Sequence, residues 1–216
     1  MRSSLIYRNA TVYELLMRAL YGRHYAARYR AVEALVPAGA SVLDLCCGPA
    51  TLYTRYLRQK SVDYTGLDRN DGFVAKLTAA GGQGRVWNLN SDTPLPAADY
   101  VLMQASLYHF LPDPAPVLDR MLAAARKQVI IAEPVRNLAS SDNRVLALLG
   151  QRFTDAGDGA QAHRFTEATL DEFFRRYAAR IDRQSLIAGG REKLYVLNAK
   201  ALVSKSHPDF ETGLRP

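Results

Sequence analysis

The feature that most constrains the fold of this chain is a repeated alternation of short apolar runs with helical patterns between residues 41 and 133. The apolar runs are SVLDLC (41–46), VDYTGL (62–67), GRVW (84–87), DYVLMQA (99–105) and QVIIAE (128–133). Helical patterns lie between most of them, as in ATLYTRYLRQ, GFVAKLTAA and APVLDRMLAAAR. Short strands that alternate with helices predict an α/β fold, an open and mostly parallel sheet with helices on both of its faces.

The residues before this alternation predict a pair of helices. Between residues 11 and 21 the apolar side chains recur on one helical face, and a second helical pattern covers residues 23–35 and stops before Pro37. We therefore divide the chain into an N-terminal helical cap, an α/β domain and a tail, over residues 1–36, 37–204 and 205–216.

The residues after the fifth apolar run depart from the alternation. Residues 140–165 are predicted to form an insert with a short helix and a loop rich in glycine and aspartate. The helix TLDEFFRRYAA follows, and Thr166 and Thr169 are both candidates to cap it. Two further strands, IDRQSLIAGG and KLYVLNAKALV, flank a Gly189-Gly190 turn and predict an antiparallel hairpin, which brings the expected number of strands to seven.

The composition is that of an ordinary globular protein, with 48% hydrophobic and 23% charged residues. Two cysteines cannot build a disulfide framework, which favours a reducing setting. No run reaches the roughly 18 apolar residues that cross a bilayer. The N-terminal apolar run is broken by Glu14 and Arg18, unlike that of a signal peptide. We therefore expect a cytoplasmic protein without a transmembrane segment.

Positive charge is concentrated at the N-terminus. The net charge is +7, and residues 1–30 carry +5 of it through six arginines and a single glutamate. Such a segment indicates an acidic partner, which could be a phosphorylated or carboxylated substrate, an anionic membrane surface or nucleic acid. A solvated helix face would account for the same charges.

The turn CCGPA after the first strand has features of an anion-binding loop. Gly48 removes a side chain where the backbone must bend or touch a ligand, and Pro49 suits the first position of the next helix, whose N–H groups are unpaired. The second strand ends in GLDRN, which places Asp68 24 residues after Asp44. An acid there can accept hydrogen bonds from both hydroxyls of a ribose, although capping of the following helix is the alternative.

Two adjacent cysteines in this turn raise the possibility of a redox or metal site. Cys46 and Cys47 are accompanied by no second cysteine pair and no histidine at ligand spacing. We therefore expect them to be small residues that line the loop, and we expect no metal site.

Taken in order, these motifs resemble those of the class I S-adenosylmethionine-dependent methyltransferases, a family with a Rossmann-like fold. VLDLCCGPATLY resembles motif I, YTGLDRN resembles motif II, and LPAADYVLMQASLYHFLPDPAPVLDRM resembles the segment around the fourth strand. QVIIAEP resembles the fifth strand, and GGREKLYVLNA resembles the closing hairpin. The resemblance covers most of the chain and implies S-adenosylmethionine as the cofactor.

The resemblance also implies individual cofactor-binding residues. The family pattern acid-x-Gly-x-Gly-x-Gly falls on Asp44, Cys46, Gly48 and Ala50, so two of the three glycines are replaced by small residues. Cysteine and alanine can replace glycine where the backbone need not adopt a positive φ, so the replacement does not exclude binding. Asp44 would orient the methionine end of the cofactor. The full set of expected cofactor contacts is Asp44, Cys46, Cys47, Gly48, Asp68, Arg69, Asn88, Leu89, Gln104 and Ala105.

The segment after the third strand is expected to contact the adenine. The family often has an acid there that binds the adenine amine, whereas this chain reads VWNLNSD. Asn88 or Asn90 could supply a carbonyl acceptor instead, and Leu89 or Trp87 could pack on the ring. Asp92 is a second candidate acid, although a turn explains it better.

Methyl transfer must align the acceptor and, if this is a hydroxyl, remove its proton. His109, in QASLYHF after the fourth strand, is the leading candidate base because imidazole titrates near neutral pH, and a structural histidine is the alternative. Glu133, at the tip of the fifth strand, could hold an acceptor amine or hydroxyl, or could cap a loop. His163 is a second candidate base.

In similar enzymes the N-terminal segment covers the cofactor and shapes the acceptor pocket. The tyrosines of this segment, with an apolar face and a polar tip, suit an acidic or lipid-like acceptor, although they could simply pack the helices onto the sheet. The expected acceptor-binding residues are Tyr21, Tyr25, Tyr108 and Asn137.

Missing motifs narrow the function further. The chain has no Asn-Pro-Pro-Tyr or Asp-Pro-Pro-Tyr segment and no Pro-Cys pair, which disfavours methylation of nucleic-acid bases. The alternatives are an NAD-dependent oxidoreductase, an inactive binding protein with the methyltransferase fold, and an RNA-binding module. The closing hairpin favours a methyltransferase over the oxidoreductase. Since the base-methylating classes lack support, we expect a small-molecule acceptor that is methylated on oxygen or nitrogen by direct in-line transfer, and no nucleic-acid partner.

Overall fold

A seven-stranded mixed sheet forms the centre of the protein in a computed structural model that describes residues 10–136 and 164–201. Its strands are β1 Ser41–Leu45, β2 Asp63–Asp68, β3 Gln83–Val86, β4 Ala98–Gln104, β5 Ala125–Pro134, β6 Ile181–Ile187 and β7 Glu192–Asn198. They lie in the order β3-β2-β1-β4-β5-β7-β6, in which β7 runs in the direction opposite to the other six strands. The predicted parallel sheet with an antiparallel C-terminal hairpin is therefore confirmed.

Helices cover both faces of the sheet, as the sequence predicts. The α-helices are α1 Ala10–Tyr21, α2 Tyr25–Glu33, α3 Asp71–Ala79, α4 Ala115–Ala124 and α5 Glu167–Arg175. A further helical segment covers residues 51–60, and its central part, Tyr53–Leu57, is π-helix. On one face α2, the 51–60 segment and α3 pack against the sheet, and on the other face α4 and α5 do so.

The alternation of side chains along a strand explains these two layers. On β1, Val42 packs with the buried residues of α2 and α3, whereas its neighbour Leu43 packs with those of α4 and α5. Both side chains are almost completely buried. A strand covered on both faces reads as a continuous apolar run, which is why SVLDLC lacks a polar–apolar alternation.

Local signals set several helix boundaries. Gly22, with a φ of 52°, separates α1 from α2, so the second helix begins at Tyr25, after a single 3₁₀ turn. The side chain of Thr166 caps α5 by accepting from the amide of Thr169, and the Thr169 hydroxyl accepts from the Thr166 amide in return. The capping predicted at Thr166 is confirmed, with Thr169 as its reciprocal partner.

The parallel strands β1, β2, β4 and β5 end at the same edge of the sheet. Pairing of Leu45 with both Leu67 and Met103 aligns three of these ends, and pairing of Gln104 with Ala132 aligns the fourth. This edge is where open α/β sheets bind ligands.

Some predictions lie outside the described residues. These are most of the predicted insert, the candidate residues Asn137 and His163, and the tail over 205–216. The boundaries at residues 36 and 204 stay predictions. Among the helices of the described part, none is both long and apolar enough to cross a membrane.

Candidate functional site

The turn after β1 has an unusual backbone. Cys46, Gly48 and Ala50 all have positive φ, at 56°, 56° and 59°. The condition under which cysteine and alanine replace glycine without cost is therefore not met. Left-handed backbone costs an L-residue about 1–2 kcal/mol, so this turn is strained at two positions.

Asp68 and Gly48 bring the ends of β1 and β2 together. The Gly48 amide donates to Asp68 Oδ2 at 2.9 Å, and the Asn70 amide donates to Oδ1 at 2.8 Å. Burial raises the pKa of Asp68, while these backbone amides act to lower it. The helix α3 is capped by the side chain of Asn70, which accepts from the amide of Phe73, so Asp68 is not needed as the cap.

The space above Gly48 can receive a ligand. A Cβ atom at Gly48 would meet no atom nearer than the Cys46 carbonyl oxygen, at 4.0 Å. Open backbone beside a carboxylate at the end of the second strand suits a ribose-containing cofactor. The residues of this turn therefore fit the expected cofactor.

Asp44 lies on β1, below the turn, and is buried. Its Oδ2 accepts a hydrogen bond from the hydroxyl of Tyr64 on β2. Burial raises the pKa of Asp44 to about 7, the Tyr64 hydrogen bond acts to lower it, and the charge of Asp68 acts to raise it. Asp44 therefore changes its charge close to neutral pH.

The two cysteines have the properties of packing residues. Burial is the main reason that the pKa values of the Cys46 and Cys47 thiols lie well above the usual value, and a raised pKa disfavours the reactive thiolate. Cys47 packs beside Gly66, where an added Cβ would approach its Sγ atom to 2.8 Å. Within the described ranges, no group of three or more His, Cys, Asp or Glu side chains is arranged to hold a metal ion.

The segment after β3 is fixed by its own hydrogen bonds and by helix α4. The Trp87 amide donates to the Asp68 carbonyl at 2.9 Å, and the Asn88 side chain accepts from the Asn90 amide at 3.1 Å. Arg120 of α4 donates to the carbonyls of Leu89 and Thr93, each at 2.7 Å. Arg120 was missed by the sequence analysis because it lies on another element and belongs to no motif.

The other candidate residues of this segment differ in how exposed they are. Leu89 is buried, whereas Asn90 and Asp92 are exposed. Arg69, another cofactor candidate, follows Asp68 at the tip of β2 and is exposed. Of this segment, the Trp87 amide is the group that contacts Asp68 directly, through the Asp68 carbonyl.

The end of β4 carries the cofactor candidates Gln104 and Ala105, and the acceptor-side candidates Tyr108 and His109 follow it. Ala105 has a φ of 51°, and Gln104 donates from Nε2 to the Arg28 carbonyl at 3.4 Å. The rings of Tyr108 and His109 are adjacent, with centroids 4.0 Å apart. The guanidinium of Arg164 lies 3.7 Å from the Tyr108 ring centroid.

Glu133 lies beneath this turn and is buried. Its Oε2 accepts from the Leu107 amide at 3.0 Å. Burial raises the pKa of Glu133 to about 8; backbone hydrogen bonds and Arg164 act to lower it, and Glu192 acts to raise it. The carboxyl therefore helps to hold the turn that presents Tyr108 and His109.

The N-terminal helices are fastened to the start of β7. Glu192, which is buried, accepts a hydrogen bond from the Tyr21 hydroxyl and forms an ion pair with Arg28 at 2.9 Å. Arg191 donates to the Leu20 carbonyl at 2.7 Å. Tyr25 is also buried and packs edge-on against the neighbouring helix residue Tyr29.

The structure thus gathers the sequence candidates into two groups. Asp44, the turn residues 46–50 and Asp68 form one group, and the residues after β4 form the other with Glu133. Sequence reasoning did not identify the partners that hold them, which are Tyr64, Arg120, Arg164 and Glu192. Each of these partners is distant in sequence from the residue that it contacts, so the contact is known only once the strands and helices are placed in three dimensions.

Solved structures of methyltransferases share this fold. A complex of the Haloferax volcanii Trm112 methyltransferase activator with a putative methyltransferase matches with a TM-score of 0.65 and 15% identity, covering 92% of this chain and 99% of that one. A S-adenosylmethionine-dependent methyltransferase of Thermotoga maritima, described as a possible histamine N-methyltransferase, matches with a TM-score of 0.63 and 15% identity, covering 90% and 98%. The magnesium protoporphyrin IX methyltransferase of Synechocystis, with bound S-adenosylhomocysteine, matches with a TM-score of 0.57 and 19% identity, covering 89% and 95%.

These likenesses show a class I methyltransferase fold, as the motifs predict. None of the curated proteins matches the chain in sequence. A family model described as methionine biosynthesis protein MetW matches residues 26–148. Because that match covers more than half of the chain, the protein belongs to the MetW family.

Proposed function

We propose that this protein is a S-adenosylmethionine-dependent methyltransferase that modifies a small-molecule acceptor. The observation that carries the proposal is the arrangement of Asp68 beside the open backbone of Gly48, at the carboxyl edge of the sheet. The likeness in fold to S-adenosylmethionine-dependent methyltransferases supports it, since one of these contains S-adenosylhomocysteine.

The cofactor would lie over the ends of β1, β2 and β4. Asp68 would hold the ribose hydroxyls, and Asp44 would orient the methionine end. The turn residues Cys46, Cys47 and Gly48 would line the middle. The remaining expected contacts are Arg69 beside the ribose, Asn88 and Leu89 at the adenine, and Gln104 and Ala105 near the methyl group. When bound, S-adenosylmethionine supplies an activated methyl group on sulfonium.

His109 would remove the proton of a hydroxyl acceptor. It follows Tyr108 in the turn that Glu133 holds from below, so the base would be carried on a fixed support. Glu133 remains a candidate for direct contact with an acceptor amine or hydroxyl. Transfer to oxygen fits a histidine base best, and transfer to nitrogen is the alternative.

We propose further that the acceptor is acidic. Within the described ranges, Arg164 has no ion-pair partner within 4.0 Å, and it stacks on Tyr108 beside His109. A guanidinium that stacks on a ring keeps its N–H groups at its edge, where a carboxylate can bind. Tyr21 and Tyr25 would then act as the inner wall of the cap. The description of the MetW family adds methionine biosynthesis as the proposed context.

The first experiment is calorimetric titration of the protein with S-adenosylhomocysteine, in the wild type and in Asp68→Ala. We expect micromolar binding to the wild type and a loss of at least about tenfold in the variant, because hydrogen bonds to a charged group contribute about 1.5–3 kcal/mol. Asp71→Ala is the matched control, since Asp71 is exposed in the first turn of α3.

Two results would contradict the proposal. Absence of binding to the wild type would favour an inactive scaffold, or an NAD-dependent oxidoreductase if NADH fluorescence shows binding. Equal affinity in the wild type and in Asp68→Ala would show that the turn is not the cofactor site.

A further inference from the structure

One face of β2 carries the carboxylate of Asp68 and also contacts the carboxylate of Asp44. Tyr64, Gly66 and Asp68 alternate along the strand and therefore point to the same side. The Tyr64 hydroxyl donates to Asp44, and the Asp68 carboxylate accepts from the Gly48 amide. Gly66, between them, leaves room for the side chain of Cys47. Gly66 is also the residue that pairs with Asp44 in the sheet.

Tyr64 is held rigidly in this row. Its side chain is buried, and its ring stacks on that of Tyr53 with centroids 4.7 Å apart. Burial raises the pKa of the Tyr64 phenol well above its usual value, so the hydroxyl keeps its proton and remains a donor. The acceptor of that proton is Asp44 Oδ2.

We propose that Tyr64 is a positioning residue for the cofactor, because its hydroxyl keeps the carboxylate of Asp44 ionised and aimed to receive the ammonium group of the amino-acid end. This inference rests on the proposed function. It adds a residue that lies within β2, outside the turns that follow the strands, and that would not touch the cofactor itself.

The surroundings of Asp44 explain why such a donor is needed. The carboxyl lies among Tyr64 and Asp68 of β2 and the thiols Cys46 and Cys47 of the turn. Burial and the charge of Asp68 both favour the protonated form, and the Tyr64 hydroxyl opposes them. A protonated Asp44 would offer no charge to the ammonium group.

The test is calorimetric titration with S-adenosylhomocysteine between about pH 5.5 and pH 8.5, in the wild type and in Tyr64→Phe. Affinity for the wild type should rise with pH through about pH 7 and level off about one unit higher, where Asp44 is mostly ionised. In Tyr64→Phe the rise should shift to higher pH by about one unit, with binding about fivefold weaker at pH 7 and about tenfold weaker at pH 6, since one pKa unit corresponds to a factor of ten below both midpoints.

Tyr53→Phe is the matched control. This change removes the hydroxyl of the ring that stacks on Tyr64, and among the described residues that hydroxyl makes no hydrogen bond with Asp44. We expect the pH profile of this control to coincide with that of the wild type. A Tyr64→Phe profile that also coincides with the wild type would overturn the inference while leaving the proposed function intact. Absence of wild-type binding at every pH would overturn both.

A second measurement needs no folded Tyr64→Phe protein. Carboxyl carbon NMR of the wild type labelled at aspartate, with Asp44→Asn to identify the resonance, should show Asp44 titrating near neutral pH. Addition of S-adenosylhomocysteine should lower that midpoint, because a bound ammonium favours the ionised carboxylate. A midpoint that stays fixed when the ligand binds would contradict the inference.

Discussion

The two sides of the proposed site are built differently. On the cofactor side, Asp44 and Asp68 are each tied to a neighbouring strand or turn by hydrogen bonds within the sheet. On the acceptor side, His109 lies in the turn after β4 and Arg164 lies in the irregular segment before α5, and both contact the ring of Tyr108. The difference suggests that the sheet itself fixes cofactor binding, whereas acceptor choice depends on side chains that can change without disturbing the strands.

The largest effect should come from breaking the buried pair that fastens the cap on the acceptor side. Glu192→Ala leaves Arg28 charged in a buried site, and breaking one partner of a buried ion pair typically costs about 3–5 kcal/mol. Urea unfolding measures this loss. Glu172→Ala, which removes an exposed pair with Arg175, should cost less than about 1 kcal/mol. Equal losses in the two variants would mean that the cap is not fastened through Glu192.

A smaller effect, confined to one side, is expected from Arg164→Gln. Loss of a charged contact to an acidic acceptor should raise its KM about ten- to a hundredfold, while the dissociation constant for S-adenosylhomocysteine stays unchanged. Initial rates and calorimetry separate the two quantities. Arg176→Gln is the control, because Arg176 also lies over an aromatic ring, that of Phe173, at 5.3 Å. A change in cofactor affinity in Arg164→Gln would show that the two sides are not independent.

The smallest effect concerns the strained turn of the cofactor side. Ala50→Gly should relieve about 1–2 kcal/mol of left-handed strain and lose a buried methyl group worth about 0.8 kcal/mol. The free energy of unfolding should therefore stay equal or rise by up to about 1 kcal/mol. Ala75→Gly, the same change in the exposed interior of α3, should lower it by about 1 kcal/mol. Losses of the same size in both variants would show that the turn is not strained.

The sequence predicted those parts of the molecule that local patterns encode. The strands and most helices follow from apolar runs and periodicity, and Asp68 was found because it ends a strand. The π-helical turn Tyr53–Leu57 and the positive φ of Cys46 were not predictable, because neither has a distinct residue pattern. The contact of Tyr64 with Asp44 depends on how two strands align, which no single segment reveals.

The contact between Tyr64 and Asp44 should affect how these two positions vary in evolution. Tyr64 and Asp44 are distant in sequence, and each is buried, so losing the hydroxyl leaves an acid without its donor. Losing the acid leaves a buried phenol without an acceptor. Among homologous chains, we therefore expect the two positions to be inherited as one unit, either kept together or replaced together by an apolar pair.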